Sequence, residues 1–221
     1  MAAGRLTPLQ ARLLCLLAGA DPGWTLAGGA ALAAAYTRHR ETRDLDLFWR
    51  GRETLGDVVH RITDHLQEAG LASNIVQRTA RFARIQVEDA GDIVLLDLIA
   101  EPSEPIEEAV AFAIGGVRIP VVTRHELLID KLCALLERSE LRDLVDVEQL
   151  LAAGGDLERA VRDAPRKDGG FSLLTLAWTV RTLDVPRLAA AAGWETARAG
   201  EVAHFRDLLV ARLMALADPR R

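Results

Sequence analysis

Two aspartates stand one residue apart in a leucine frame, Asp44-Leu45-Asp46-Leu47, and a third, Asp97, is the one charge in the apolar run 93–100. Alternate side chains of a strand share a face, so Asp44 and Asp46 point one way while Leu45 and Leu47 point into a core. Carboxylates that close repel unless a cation lies between them, and a lone carboxylate in an apolar strand is costly unless paired or metal-bound. Mg²⁺ suits such a set because it takes a few carboxylates and completes its octahedron with water and phosphate oxygens; Mn²⁺ is the alternative ion. Upstream, Gly28-Gly29 precedes the helix formers of residues 30–37. Glycines let a backbone approach phosphate closely, and a helix N-terminus offers N–H groups and a favourable dipole. Singly these are weak signals, since Asp-x-Asp is commonly an exposed strand edge and Gly-Gly a tight turn. In this order they compose a metal-dependent phosphoryl or nucleotidyl transfer site.

The elements that must position these residues follow from periodicity. Thr7 as N-cap and Pro8 at the first helical position open a helix. Trp24–Ala27 reads as a short strand into Gly28-Gly29, and Asp44–Trp49 alternates as a strand. Residues 54–70 carry Leu55, Val58, Val59, Ile62 and Leu66 at helical spacing and close on Gly70. Two strands are predicted around a turn at Asp89–Asp92, and a hairpin over Ala111–Val122 with Gly115-Gly116 at its turn. From Thr123 the texture is helical: one segment from a Thr123 cap to Gly154-Gly155, then helices over 156–164, 172–183 and about 197–217. The reading is α+β, a strand-bearing domain over 1–122 followed by a helical domain over 123–221.

Composition excludes some functions. Half of the 221 residues are apolar and the net charge is −5, so no global basic field draws the chain to nucleic acid or a membrane. The apolar run Leu13–Ala20 is too short to span a bilayer. The two cysteines, Cys15 and Cys133, sit in apolar helical patterns and read as buried free thiols, which suits a reducing cytoplasm. Charge is locally uneven: Arg38, Arg40, Arg43, Arg50 and Arg52 crowd into fifteen residues, and Arg78, Arg81 and Arg84 form a second group. Arg40 and Arg43 adjoin the carboxylate pair, where phosphate contact is expected. For the second group a solvated surface and a phosphate contact are equally open.

The order Gly-Gly, short helix, Asp-hydrophobic-Asp-hydrophobic resembles the DNA polymerase beta-like nucleotidyltransferase superfamily. More narrowly, "GGAAL…HRETRDLDLF" is similar to the AbiEii/AbiGii toxin family, with His39, Arg40, Thr42, Asp44, Leu45 and Asp46 matching position by position. Ala30 departs from the family's frequent threonine. Fourteen residues separate Gly29 from Asp44, about one more than the pattern has, which is expected to lengthen the helix-to-strand turn. In the helical half, Lys131, Arg138, Arg142, Asp143 and Asp146 follow the family's order of lysine, arginine and Arg-Asp-x-x-Asp. Only two of the 27 basic residues are lysines, Lys131 and Lys167, so a retained lysine suggests a compact point charge, as at a triphosphate. A snorkelling lysine is the plain alternative, and for Asp146 an i,i+4 pair with Arg142.

The resemblance implies a nucleotidyltransferase palm with Asp44, Asp46 and Asp97 as metal ligands and catalytic carboxylates. Gly28, Gly29, Arg40 and Thr42 would bind the NTP, Lys131 would act at the leaving pyrophosphate, and Arg138, Asp143 and Asp146 stand as secondary candidates. It further implies an RNA (tRNA) or protein hydroxyl as acceptor and a cognate antitoxin, while the cysteine usage and the short apolar run point to no membrane and a cytoplasmic location. Two other readings remain: a binding module that kept the fold without activity, and a ribonuclease carried by Arg198 and His204, whose helix Gly200 should interrupt.

Overall fold

The computed structural model describes residues 6–20, 23–37 and 40–218; Arg38 and His39 of the sequence motif lie outside them. The chain divides into two compact units, Met1–Thr123 and Arg124–Arg221.

The first unit opens with α1 (Pro8–Ala20). Its cap is reciprocal, the Gln10 amide donating to Thr7 Oγ1 at 3.1 Å and the Thr7 amide to Gln10 Oε1 at 2.8 Å. β1 (Thr25–Ala27) leads into α2 (Gly28–Ala31), which continues as a π-helical turn over Leu32–Tyr36. A π turn takes one more residue than an α turn. Here the Thr37 amide reaches Leu32 O at 3.0 Å. Then come β2 (Asp44–Arg50), α3 (Val58–Glu68), β3 (Ala72–Arg78), β4 (Phe82–Asp89), β5 (Asp92–Glu101), β6 (Val110–Ile114) and β7 (Val117–Val121).

These strands form one seven-stranded sheet in the order β3-β4-β5-β2-β1-β7-β6. β2 runs parallel to β5 and antiparallel to β1, and the β1–β7 pair is parallel, so the sheet is mixed. Two of the hairpins, β4–β5 and β6–β7, turn on Ala90-Gly91 and Gly115-Gly116, all four residues at positive φ, the condition for a tight turn matching strand twist. Alternation divides β2 as expected: Leu45, Leu47 and Trp49 are fully buried, while Asp44, Asp46, Phe48 and Arg50 are half-buried on the other face. Ala83, Ile85, Val87, Leu96 and Leu98 join the core, with Leu13, Leu14 and Leu17 of α1 and Val58, Ile62 and Leu66 of α3. Each fully buried leucine or isoleucine contributes about 1.5–3 kcal/mol relative to exposure.

The second unit is helical: α4 (Arg124–Arg138), α5 (Leu141–Ala152), α6 (Leu157–Asp163) with a 3₁₀ turn (Ala164–Arg166), α7 (Leu173–Thr182), α8 (Val185–Ala191) and α9 (Thr196–Leu216). The single segment expected from Thr123 to Gly154 is two helices. Ser139 adopts φ +52°, a left-handed conformation that ends α4, and α5 restarts after Glu140. A second correction concerns α9, which runs unbroken through Gly200. Arg198 there lies 3.0 Å from Glu201 and is also bound to Glu148 of α5, so its charge serves helix packing. Both cysteines are free but only half-buried, and burial pushes the Cys133 thiol up to about 12, keeping it protonated and unreactive. No helix among the described residues is long and apolar enough to cross a membrane.

Candidate active site

The parallel pairing of β2 with β5 brings the three strand aspartates together. Asp46 and Asp97 are directly opposite each other, with Asp44 one alternation away on the same face. Each offers a carboxylate oxygen within 4.8 Å of the others', and Asp97 is only 5% exposed. All three donors are hard oxygens on paired strands, a set that suits Mg²⁺ or Mn²⁺. Thr42 is buried and its hydroxyl donates to Asp44 Oδ1, while its own carbonyl accepts from Gln10 Nε2 at 2.9 Å. A residue expected to bind nucleotide thus orients a carboxylate, and α1 orients that residue in turn.

β1 lies antiparallel to β2 with Ala27 opposite Asp46, which sets Gly28 against that carboxylate. A Cβ at Gly28 would lie 1.9 Å from Asp46 Oδ2, and the residue holds φ +59°. Both facts demand glycine. At Gly29 a Cβ would meet Thr42 Oγ1 at 2.9 Å and the Arg40 guanidinium at 3.1 Å. Gly28, Gly29, Arg40 and Thr42 therefore gather beside Asp44 and Asp46, and no side chain caps the start of α2. Gly28→Ala is expected to cost about 1 kcal/mol or more in backbone strain. It should also displace Asp46 and cut turnover roughly 10²-fold. Thermal unfolding beside initial rates separates the two effects.

One contact of the carboxylate cluster was not read from the sequence. Arg84 of β4 lies opposite Asp97 and grips it with two parallel bonds, Nε to Oδ1 at 2.7 Å and Nη2 to Oδ2 at 2.6 Å. Hydrogen bonding to Asp97 raises the Arg84 pKa further, against desolvation, with Asp97, Asp44 and Asp46 adding attraction. The sequence placed Arg84 in an arginine group, but its partner depends on strand register. Of that group, Arg81 instead pairs with Glu53 at 2.6 Å.

The second unit holds the other candidates as a cluster of their own. Lys131 Nζ lies 2.8 Å from Asp143 Oδ1 and 2.7 Å from Asp146 Oδ2, both aspartates fully buried. Arg138 adds two bonds to Asp143, from Nε at 2.8 Å and Nη2 at 2.9 Å. Asp146 faces Lys131, and Arg142 pairs with Glu140, unlike the Arg142–Asp146 pair considered from spacing. Lys167 repeats the arrangement, bound to Glu126 and lying 2.7 Å from Asp130 Oδ1. Both lysines of the chain therefore sit between two carboxylates, a second reason for a compact cation besides phosphate binding.

Burial alone would push the Asp143 carboxyl up, but its bonds and charge partners Arg138 and Lys131 hold it below the ordinary value. A depressed folded pKa gives stability that is present above the unfolded value of about 3.9 and lost as pH falls through the folded one. Urea unfolding between pH 6 and 3 should thus show a shallower acid slope in Asp143→Asn, on a lower overall stability.

A mixed sheet with Gly-Gly leading into strand carboxylates, followed by a helical unit, is the nucleotidyltransferase fold. Three solved structures share it at 19% identity, which establishes the fold. A candidate nucleotidyltransferase from Helicobacter pylori aligns over 96% of this chain and 100% of its own at TM-score 0.55. JHP933 from H. pylori aligns over 94% and 90% at 0.56, and MenT4, a nucleotidyltransferase toxin of Mycobacterium tuberculosis, over 95% and 82% at 0.60. The model of the nucleotidyl transferase AbiEii toxin family, of type IV toxin–antitoxin systems, matches residues 12–210. The chain belongs to that family and is by class a nucleotidyltransferase. No curated protein matches it.

Proposed function

We propose that the protein is a Mg²⁺-dependent nucleotidyltransferase that moves a nucleoside monophosphate from an NTP to a hydroxyl of RNA, such as a tRNA 3′ end, or of a protein. Its biological role is that of a toxin paired with a cognate antitoxin, acting in the cytoplasm. The observation carrying the chemistry is the convergence of Asp44, Asp46 and Asp97 beside Gly28, where a Cβ would run into the Asp46 carboxylate.

Asp44, Asp46 and Asp97 would hold the divalent ion, which supplies charge neutralisation to the phosphates when bound. Asp97, facing β4, would also accept the proton of the acceptor hydroxyl or orient it. Gly28 and Gly29 bring backbone close to the β- and γ-phosphates, and Arg40 adds positive charge there. Thr42 keeps Asp44 aimed. By the family's order of residues Lys131 would serve the departing pyrophosphate. Catalysis would rest on positioning and charge stabilisation.

The acceptor class is tested by incubating the purified chain with total cellular RNA and protein, Mg²⁺ and each α-labelled NTP. Label removed by ribonuclease assigns an RNA acceptor, and label removed by protease assigns a protein. Nucleotide binding with no transfer to either would instead favour the inactive binding module.

A further inference from the structure

We propose that Arg84 is a resident cation of the carboxylate cluster that competes with the divalent ion for Asp97, so that the ion binds the free protein weakly and is recruited together with the nucleotide. This rests on Asp44, Asp46 and Asp97 being the metal ligands. Three features support it. Arg84 is fixed by register, directly opposite Asp97 across β4 and β5. Its guanidinium takes both oxygens of Asp97, the most buried of the three carboxylates, in the bidentate geometry that makes the strongest charge-assisted pairs. Yet its own side chain is 36% exposed, against 6% for Asp97, with the guanidinium 5.8 Å from the Phe82 ring centroid. The long stem can therefore swing its head toward solvent without disturbing the strand.

Charge decides the consequence. Arg84 lowers by one the negative charge that the three carboxylates present to an arriving ion. A cation beside the cluster both repels the divalent ion and occupies one of its ligands. A bound triphosphate reverses this balance, because it attracts the ion and gives the released guanidinium a new anionic partner. Arg84 is thus a positioning residue: it keeps Asp97 aimed in the free protein, then yields it.

The test is Mn²⁺ binding by calorimetry to the full chain without nucleotide. Arg84→Gln, which keeps donors for Asp97 but removes the charge, should bind Mn²⁺ roughly tenfold tighter than wild type. Arg84→Lys, which keeps the charge, should stay within about threefold. A non-hydrolysable NTP analogue should tighten Mn²⁺ binding more in wild type than in Arg84→Gln. A merely structural arginine gives the opposite result, with Mn²⁺ binding unchanged or weaker in Arg84→Gln. That outcome, with binding still abolished by Asp44→Asn, overturns the role of Arg84 and leaves the metal site standing. Mn²⁺ binding indifferent to Asp44→Asn, or absent from every variant, overturns the metal site and this inference with it.

Discussion

Asp46→Asn is expected to lower nucleotidyl transfer by roughly 10³-fold or more, with little loss of fold. Asparagine matches the shape of aspartate, so the contact with Gly28 survives, but one of the three negative charges that would hold the divalent ion is gone. Asp46 is closely hemmed in by its neighbours. It lies opposite both Ala27 and Asp97, and a Cβ at Gly28 would lie 1.9 Å from its Oδ2. A neighbour cannot take its place, because Asp44 is oriented by Thr42 and Asp97 by Arg84. Initial rates over a range of Mg²⁺ and NTP check it. A fall in maximal rate that high Mg²⁺ does not restore is expected, and full activity at high Mg²⁺ would assign Asp46 to ion affinity alone.

Lys131→Met is expected to destabilise the protein by about 3–5 kcal/mol, whatever its effect on turnover. The ammonium lies within 2.8 Å of both Asp143 and Asp146, which are fully buried. Methionine matches the stem but takes the ammonium away from Asp146 and from Asp143, and breaking a buried ion pair by removing one partner costs far more than the pair contributed. The urea midpoint should fall with an unchanged slope. A double variant, Lys131→Met with Asp146→Leu, should recover much of the loss, since it removes a buried carboxylate together with its lysine partner. A midpoint unchanged in Lys131→Met would show that the lysine is not a structural clamp.

The first unit was legible where one physical signal dominated. Alternation in Asp44–Trp49 gave both the strand and the face of each aspartate, and glycine-bearing turns marked the β4–β5 and β6–β7 hairpins. β3 was not legible. All seven of its residues are exposed and it lies at the sheet edge, so no buried face imprints a period on Ala72–Arg78. The Ser139 break was hidden because the leucine pattern continues across it, and Gly200 misled in the opposite sense, since a long helix tolerates one glycine. In the site, residue types pointed to the carboxylates and glycines, whereas Arg84 and Gln10 act through partners thirteen and thirty-two residues away. Such contacts are set by strand register and helix docking. Lys131 shows the converse limit, because its rarity was visible but its two buried partners follow from the packing of α4 on α5.

The most direct measurement compares α-labelled with γ-labelled NTP on wild type and on Asp44→Asn/Asp46→Asn, with and without Mg²⁺. Wild type should pass the α label to a macromolecular acceptor and release the γ label as pyrophosphate, only with the divalent ion present. The folded double variant should do neither. Transfer of the γ label to the acceptor, or α-label transfer that survives loss of both aspartates, would contradict nucleotidyl transfer at this site.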